Sequence, residues 1–220
     1  MRTVAYDEPV LVHSGEVVLE GRFSRPFQPV ASVIVTSAGS PAPQSGYGRV
    51  ADQFASAGYA VLTLDLLTAE EQQIDSRTEH YRWSISLLAK RLQDAIRWTE
   101  RLTDDLPILI FASGHAAAAA LRVDAMTGAL CGLLLTGART DLVTSDLPRV
   151  QAPTLLIAAE SDPTVLHMNS VAVTSSMQCI RRLEIIRDAT SSLTDAQMGD
   201  TIVLHAWKWA VDHTLQTAGA

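Results

Sequence analysis

Cysteine is scarce in this sequence: there are two in 220 residues, Cys131 and Cys179. Both sit in or beside apolar runs, as buried thiols in a reducing compartment do, and no disulfide framework is expected. Basic charge is scarce as well. Seventeen Lys and Arg against 24 Asp and Glu leave a net charge of −7. No Lys/Arg cluster breaks that balance, so no nucleic-acid partner is expected. No apolar run approaches the ~20 residues that cross a bilayer. Met1–Val10 carries acids early and has no apolar h-region, so no signal peptide is expected. These absences point to a cytoplasmic protein without a membrane partner. Metal-ligand spacing is missing too, with neither a paired-Cys motif nor H-E-x-x-H. The glycines at 39, 46 and 48 do not precede a strong helix at the spacing of a phosphate loop. Neither metal nor cofactor is expected.

Apolar residues make up 47% of the chain and charged residues 19%, enough for a sizeable core and too apolar for disorder. The length suits one domain, 1–220. Short apolar runs alternate with helix-patterned segments. Val10–Glu20, Val30–Thr36, Tyr59–Leu64, Pro107–Phe111, Leu130–Leu135, Thr154–Ala159 and Leu183–Ile186 read as strands. Gly46–Gly58, Arg82–Leu102, Ala116–Met126, Pro163–Met177 and Thr201–Thr214 read as helices, with Gly58 as a stop and Asp162 as a cap before Pro163. Fully apolar strands between helices predict an α/β domain whose mostly parallel central sheet is covered by helices on both faces. Ligands of such sheets bind beyond the carboxyl ends of the strands. The residues just after each strand are therefore the informative ones.

Ile110-Phe111-Ala112-Ser113-Gly114-His115-Ala116-Ala117 runs from a strand straight into a helix, the context of a nucleophile elbow. Asp65-Leu66-Leu67-Thr68-Ala69-Glu70-Glu71, Leu87–Leu92, the alanines 116–120, and Leu147–Val150 before Ala152–Ile157 accompany it. Together they resemble the bacterial dienelactone-hydrolase-like family, over roughly residues 30 to 215. The resemblance implies the α/β-hydrolase fold. It leaves two registers for the elbow. With Ser113 at the apex, the neighbours two before and two after are the bulky Phe111 and His115. With Gly114 there, they are Ala112 and Ala116. Close backbone approach favours the small pair, and glycine takes φ > 0 at little cost. Gly114 is the expected apex, and a glycine supplies no nucleophile.

The resemblance places the family's acid at Asp162, which can equally be a helix cap. The family's Ala-Thr-His after the last strand becomes Ala189-Thr190-Ser191, so Ser191 stands where the base should be. Its His-Gly pair after the early strand becomes Ser37-Ala38, followed by Gly39. His205 lies inside the closing helix and does not rescue the base. His115 is the one new ionisable group at the elbow, either a general acid or base or a packed polar residue. Arg139 matches a family arginine and serves either as a carboxylate clamp or in an ion pair. Glu79, His80 and Arg82 read as a solvated face. Leu66–Trp83 is long enough to form a lid, with Tyr81 and Trp83 as aromatic walls.

The leading expectation is a remodelled hydrolase fold with a degenerate triad at Gly114, Asp162 and Ser191. It would bind a small-molecule ligand and promote at most a non-covalent reaction, such as cyclisation, isomerisation or elimination. His115 and Asp162 would carry what catalysis remains, in a pocket of Ser37, Ala38, Gly39, Ser113, His115 and Arg139. The alternatives are a non-enzymatic interaction protein and a true serine hydrolase using Ser113. Nothing in the sequence names the ligand or the oligomeric state.

Overall fold

The computed structural model describes residues 4–39, 47–187, 204–206, 208–210 and 212. Eight strands form one sheet in the order β1-β2-β4-β3-β5-β6-β7-β8. In sequence they are β1 (Val4–Ser14), β2 (Val17–Pro26), β3 (Ser32–Ser37), β4 (Ala60–Asp65), β5 (Ile108–Ser113), β6 (Gly132–Thr136), β7 (Thr154–Ala159) and β8 (Arg181–Ile186). The helices are α1 (Tyr47–Ser56), α2 (Ala69–Thr78), α3 (Ile85–Thr103), α4 (Gly114–Thr127) and α5 (Pro163–Val171). The first two strands pair antiparallel, β2 pairs antiparallel with β4, and every later pairing is parallel. The expected α/β architecture is what forms.

Strands β3, β5, β6 and β7 are buried almost throughout because helices cover both faces. One layer packs Ile34, Leu62, Ile110, Leu133, Leu135 and Leu156 under α3 and α4. The other packs Val33, Val35, Leu109, Phe111, Leu155 and Ile157 under Val50 and Phe54 of α1. Alternate residues of each strand thus serve opposite layers. Ala116 to Ala120 are all fully buried. Only small side chains let α4 lie so close to the sheet and to α3. Its stop is Gly128, at φ 59°, whose N–H reaches the Asp124 carbonyl at 2.7 Å.

Three elements differ from the sequence reading. Val10–Glu20 is a hairpin rather than one strand: Ser14 pairs with Val17 around Gly15, which has φ 61°. The helix expected over Pro163–Met177 is α-helical only to Val171 and continues as one π-type turn over Ala172–Ser176. The lid segment contains the helix α2. Thr68 caps it, and Glu71 reaches back to the Thr68 N–H at 2.9 Å, completing a capping box. The same Glu71 takes a two-pronged contact of 2.6 and 2.7 Å from Arg91 of α3, whose guanidinium also donates to the Leu66 carbonyl at 2.7 Å. No helix among the described residues is long and apolar enough to cross a membrane.

Candidate functional site

The parallel strands deliver Ser37, Asp65, Ser113 and Thr136 to one edge of the sheet, with Ser37 in register with Asp65 and Ser113 with Thr136. The turn from β5 into α4 is built there. Ser113 is extended at φ −128° and ψ 153°. The positive φ falls on Gly114, at 54°. Ala112 and Ala116 beside it are fully buried. Among the described residues, a Cβ added to Gly114 would meet nothing within 4 Å.

Tyr47 is the first residue of α1, and the hydroxyls of Ser113 and Thr136 act to lower its phenol pKa. The Tyr47 ring stands edge-on to Phe111 at 5.9 Å. Burial pushes the Tyr47 phenol above its ordinary pKa, and the Asp65 carboxylate nearby adds to the effect. Tyr47 is a site residue that sequence reasoning missed. It follows a Gly/Ser/Pro-rich stretch of sequence, and nothing in its local pattern separates it from a core aromatic.

His115 lies in the first turn of α4, half-buried, with its Nε2 enclosed and lacking a hydrogen-bond partner among the described residues. The Trp83 ring meets it edge-on at 4.9 Å. Burial first, then the guanidiniums of Arg139 and Arg82, lower the imidazole pKa from 6.5 to about 4, against a smaller upward pull from Asp75 and Glu79. His115 is therefore neutral at pH 7, able to donate through one nitrogen and accept through the other. Arg139 holds Asp141 through Nε and Nη2 at 2.9 and 2.8 Å. Its backbone N–H reaches the Gly114 carbonyl at 3.3 Å. The guanidinium that was to be either a clamp or an ion pair forms the ion pair.

The segment Ser37-Ala38-Gly39 closes the other side. Asp65 accepts the Ser37 hydroxyl at 2.8 Å, the Gly39 N–H at 3.2 Å and the Leu67 N–H at 2.7 Å. Gly39 has φ 84°, and an added Cβ would lie 3.2 Å from Asp75 Oδ2 and 3.5 Å from Arg82 Nη2. Only glycine fits there. Asp75 is fully buried and accepts the N–H groups of Tyr81 and Arg82 as well as the Arg82 side chain. Arg82, read as part of a solvated face, is thus a structural partner of the lid. Glu79 closes α2 in the left-handed region at φ 55°, and His80 packs against Tyr81.

Asp162 caps α5, accepting the Val165 N–H at 3.0 Å. Its cap role is explicit, and the chain after it is tied back toward Arg139 by Asn169 Nδ2, which donates to the Ala138 carbonyl at 3.1 Å. Ser191 lies outside the described residues. His205 sits in the closing helix with Nδ1 3.7 Å from Glu184. Gly114, His115 and Arg139 are brought into one cluster, and Ser37 and Gly39 into another around Asp65. Ser113 lies at the end of β5 as well. Among the described residues no group of three or more His, Cys, Asp or Glu could hold a metal ion.

No family model matches the chain. Two curated proteins from strains of Mycobacterium tuberculosis, each named "Putative phosphoribosyl transferase", are 32% identical to it over 212 residues. Those residues are 94% of this chain, which spans only 46% of each relative's length. Among solved structures, a dienelactone hydrolase from Anabaena variabilis superposes with a TM-score of 0.86 at 33% identity, covering 95% of this chain and 98% of the other. The esterase Est1E from Butyrivibrio proteoclasticus gives 0.73 at 10% identity over 92% of this chain and 99% of its own. A dienelactone hydrolase-like promiscuous phosphotriesterase from metagenomic libraries gives 0.71 at 15% identity over 92% of this chain and 94% of its own. The latter two share the fold. At one-third identity across nearly the whole of both chains, the Anabaena relative settles the lineage: this chain belongs to the dienelactone-hydrolase family of α/β-hydrolase folds.

Proposed function

We propose that this chain binds a small organic ligand at the carboxyl edge of its sheet and forms no covalent acyl intermediate. The observation that carries the reading is Gly114: the residue with positive φ in the elbow has no side chain, and no described residue comes within 4 Å of where its Cβ would stand. In this reading Gly114, Asp162 and Ser191 occupy the family's nucleophile, acid and base positions, and only the acid keeps its chemistry. His115, neutral at pH 7 with Nε2 enclosed, is the group that accepts or returns a proton. Reactions within its reach need proton transfer and shape alone, as cyclisation, isomerisation or elimination do. Ser37, Ala38, Gly39, Ser113 and Arg139 frame the pocket.

The test is turnover of short-chain 4-nitrophenyl esters together with labelling by a fluorophosphonate. Ester turnover at background and no labelled serine are expected. Stoichiometric labelling of Ser113 would restore the serine-hydrolase reading. A second reading, a non-enzymatic interaction module, is favoured by the curated relatives, in which the matching region is 46% of a longer chain. It predicts that no small lactone or enone stabilises the protein thermally.

A further inference from the structure

Trp83 fills a slot at the surface rather than a place in the core. It lies on the short link from α2 to α3 and is 45% exposed. Its indole meets the His115 ring edge-on, with centroids 4.9 Å apart. The Arg139 guanidinium lies over its face, 4.6 Å from the centroid. Its Nε1–H reaches Glu79 Oε2 only at 3.4 Å. Beside the indole, His115 Nε2 is enclosed yet has no hydrogen-bond partner among the described residues. A buried polar atom left unpaired is destabilising, so a ligand that satisfies it gains what the free protein lacks.

The backbone around Trp83 is fixed. Asp75, fully buried, accepts the N–H groups of Tyr81 and Arg82, and the Ser84 N–H reaches the Tyr81 carbonyl at 3.0 Å. What can move is the indole itself, by a change of rotamer. Resting on the pocket reading above, we propose that Trp83 is a swinging cover over His115, displaced by a ligand with a neutral planar ring that bears a hydroxyl or carbonyl oxygen. The indole is the template for that ligand. A planar ring in its place offers a π face to Arg139 and an oxygen to His115 Nε2. The ligand is neutral because Arg139 already holds Asp141 and Arg82 already holds Asp75, which leaves neither guanidinium to balance a carboxylate.

The probes are diethyl pyrocarbonate, which carbethoxylates accessible neutral imidazoles, and the pair phenol and cyclohexanol, titrated by ligand-observed NMR. Labelling at about pH 7.5, above the ordinary imidazole pKa, is read at His115 by peptide mass spectrometry. Trp83→Ala should speed it at least about 10-fold, since a minor open state is populated at roughly a tenth or less. Arg139→Gln, which keeps the indole, should speed it roughly 2–5-fold, what the loss of one exposed cation–π contact permits. Trp83→Ala should also tighten phenol binding, because the ligand no longer competes with the indole. Cyclohexanol should gain less, because it offers Arg139 no π face. His115 labelling unchanged in both variants would overturn the cover. Weaker phenol binding by Trp83→Ala would make Trp83 a wall of the pocket, overturning the proposal while leaving the pocket reading intact. An equal gain for both alcohols would overturn the planar ligand. Binding of neither alcohol by either protein would overturn the pocket reading and this proposal with it.

Discussion

The Arg139 guanidinium lies over the Trp83 indole, 4.6 Å from the ring centroid. The lid is thereby pinned to the loop after β6, directly beside His115. Such a contact contributes about 0.5–1 kcal/mol where it is partly exposed. It also has an electrostatic consequence, because the same positive charge, after burial, helps to keep His115 neutral. Arg139→Gln should raise the His115 pKa from about 4 toward 6.5. An imidazole NMR titration reads this directly, and an unmoved midpoint would mean that burial alone holds the ring neutral.

The depressed His115 pKa also fixes a pH dependence of stability. Between 6.5 and about 4 the unfolded chain binds a proton at this site that the folded chain does not. Stability therefore rises with pH across that window. The contribution is complete above pH 6.5 and is lost as pH falls through about 4. His115→Gln should flatten the acid limb of a plot of Tm against pH in that interval and leave the limb above pH 7 unchanged.

The elbow makes a separate prediction. Gly114→Ala meets no steric obstacle among the described residues, yet its φ of 54° is strained for any residue with a Cβ. The expected cost is about 1–2 kcal/mol, the left-handed penalty, measurable by urea denaturation. Gly114→Ser should cost a similar amount and leave ester turnover at background, because the residues of a triad act as a unit. Rapid hydrolysis by that variant would show that a competent base is already in place.

Arg91 anchors the lid from the opposite side. Its side chain is 4% exposed and holds Glu71 and the Leu66 carbonyl. Arg91→Met leaves the Glu71 charge unpaired, and breaking a buried pair on one side costs about 3–5 kcal/mol. Chemical denaturation should show a loss of that order. A loss under 1 kcal/mol would indicate that water reaches Glu71 freely.

How much of this was legible beforehand follows from particular residues. Leu133–Leu135 and Leu155–Ile157 announce strands buried on both faces, and the sheet follows from them. The β1–β2 hairpin was not legible, because Ser14-Gly15-Glu16 interrupts a run whose alternation continues on both sides. Helix α2 was missed for a different reason: Ala69–Thr78 buries only Asp75, so it has no apolar stripe to betray its period. At the site, the size of Ala112 and Ala116 pointed to Gly114. Tyr47 and Asp65 had no such signal, since their partners lie on other strands and only tertiary structure joins them.

Glu71 carries one last implication. A single carboxylate starts α2, by accepting the Thr68 N–H, and docks it, by receiving Arg91. Fraying the helix start therefore strips Arg91 of its partner, and undocking the helix deprives the cap of its fixed geometry. Amide protons of α2 should then exchange with the protection of α3 rather than with the low protection of an isolated polar helix. A segment that looks from its composition like a loosely attached flap would open together with the body of the domain.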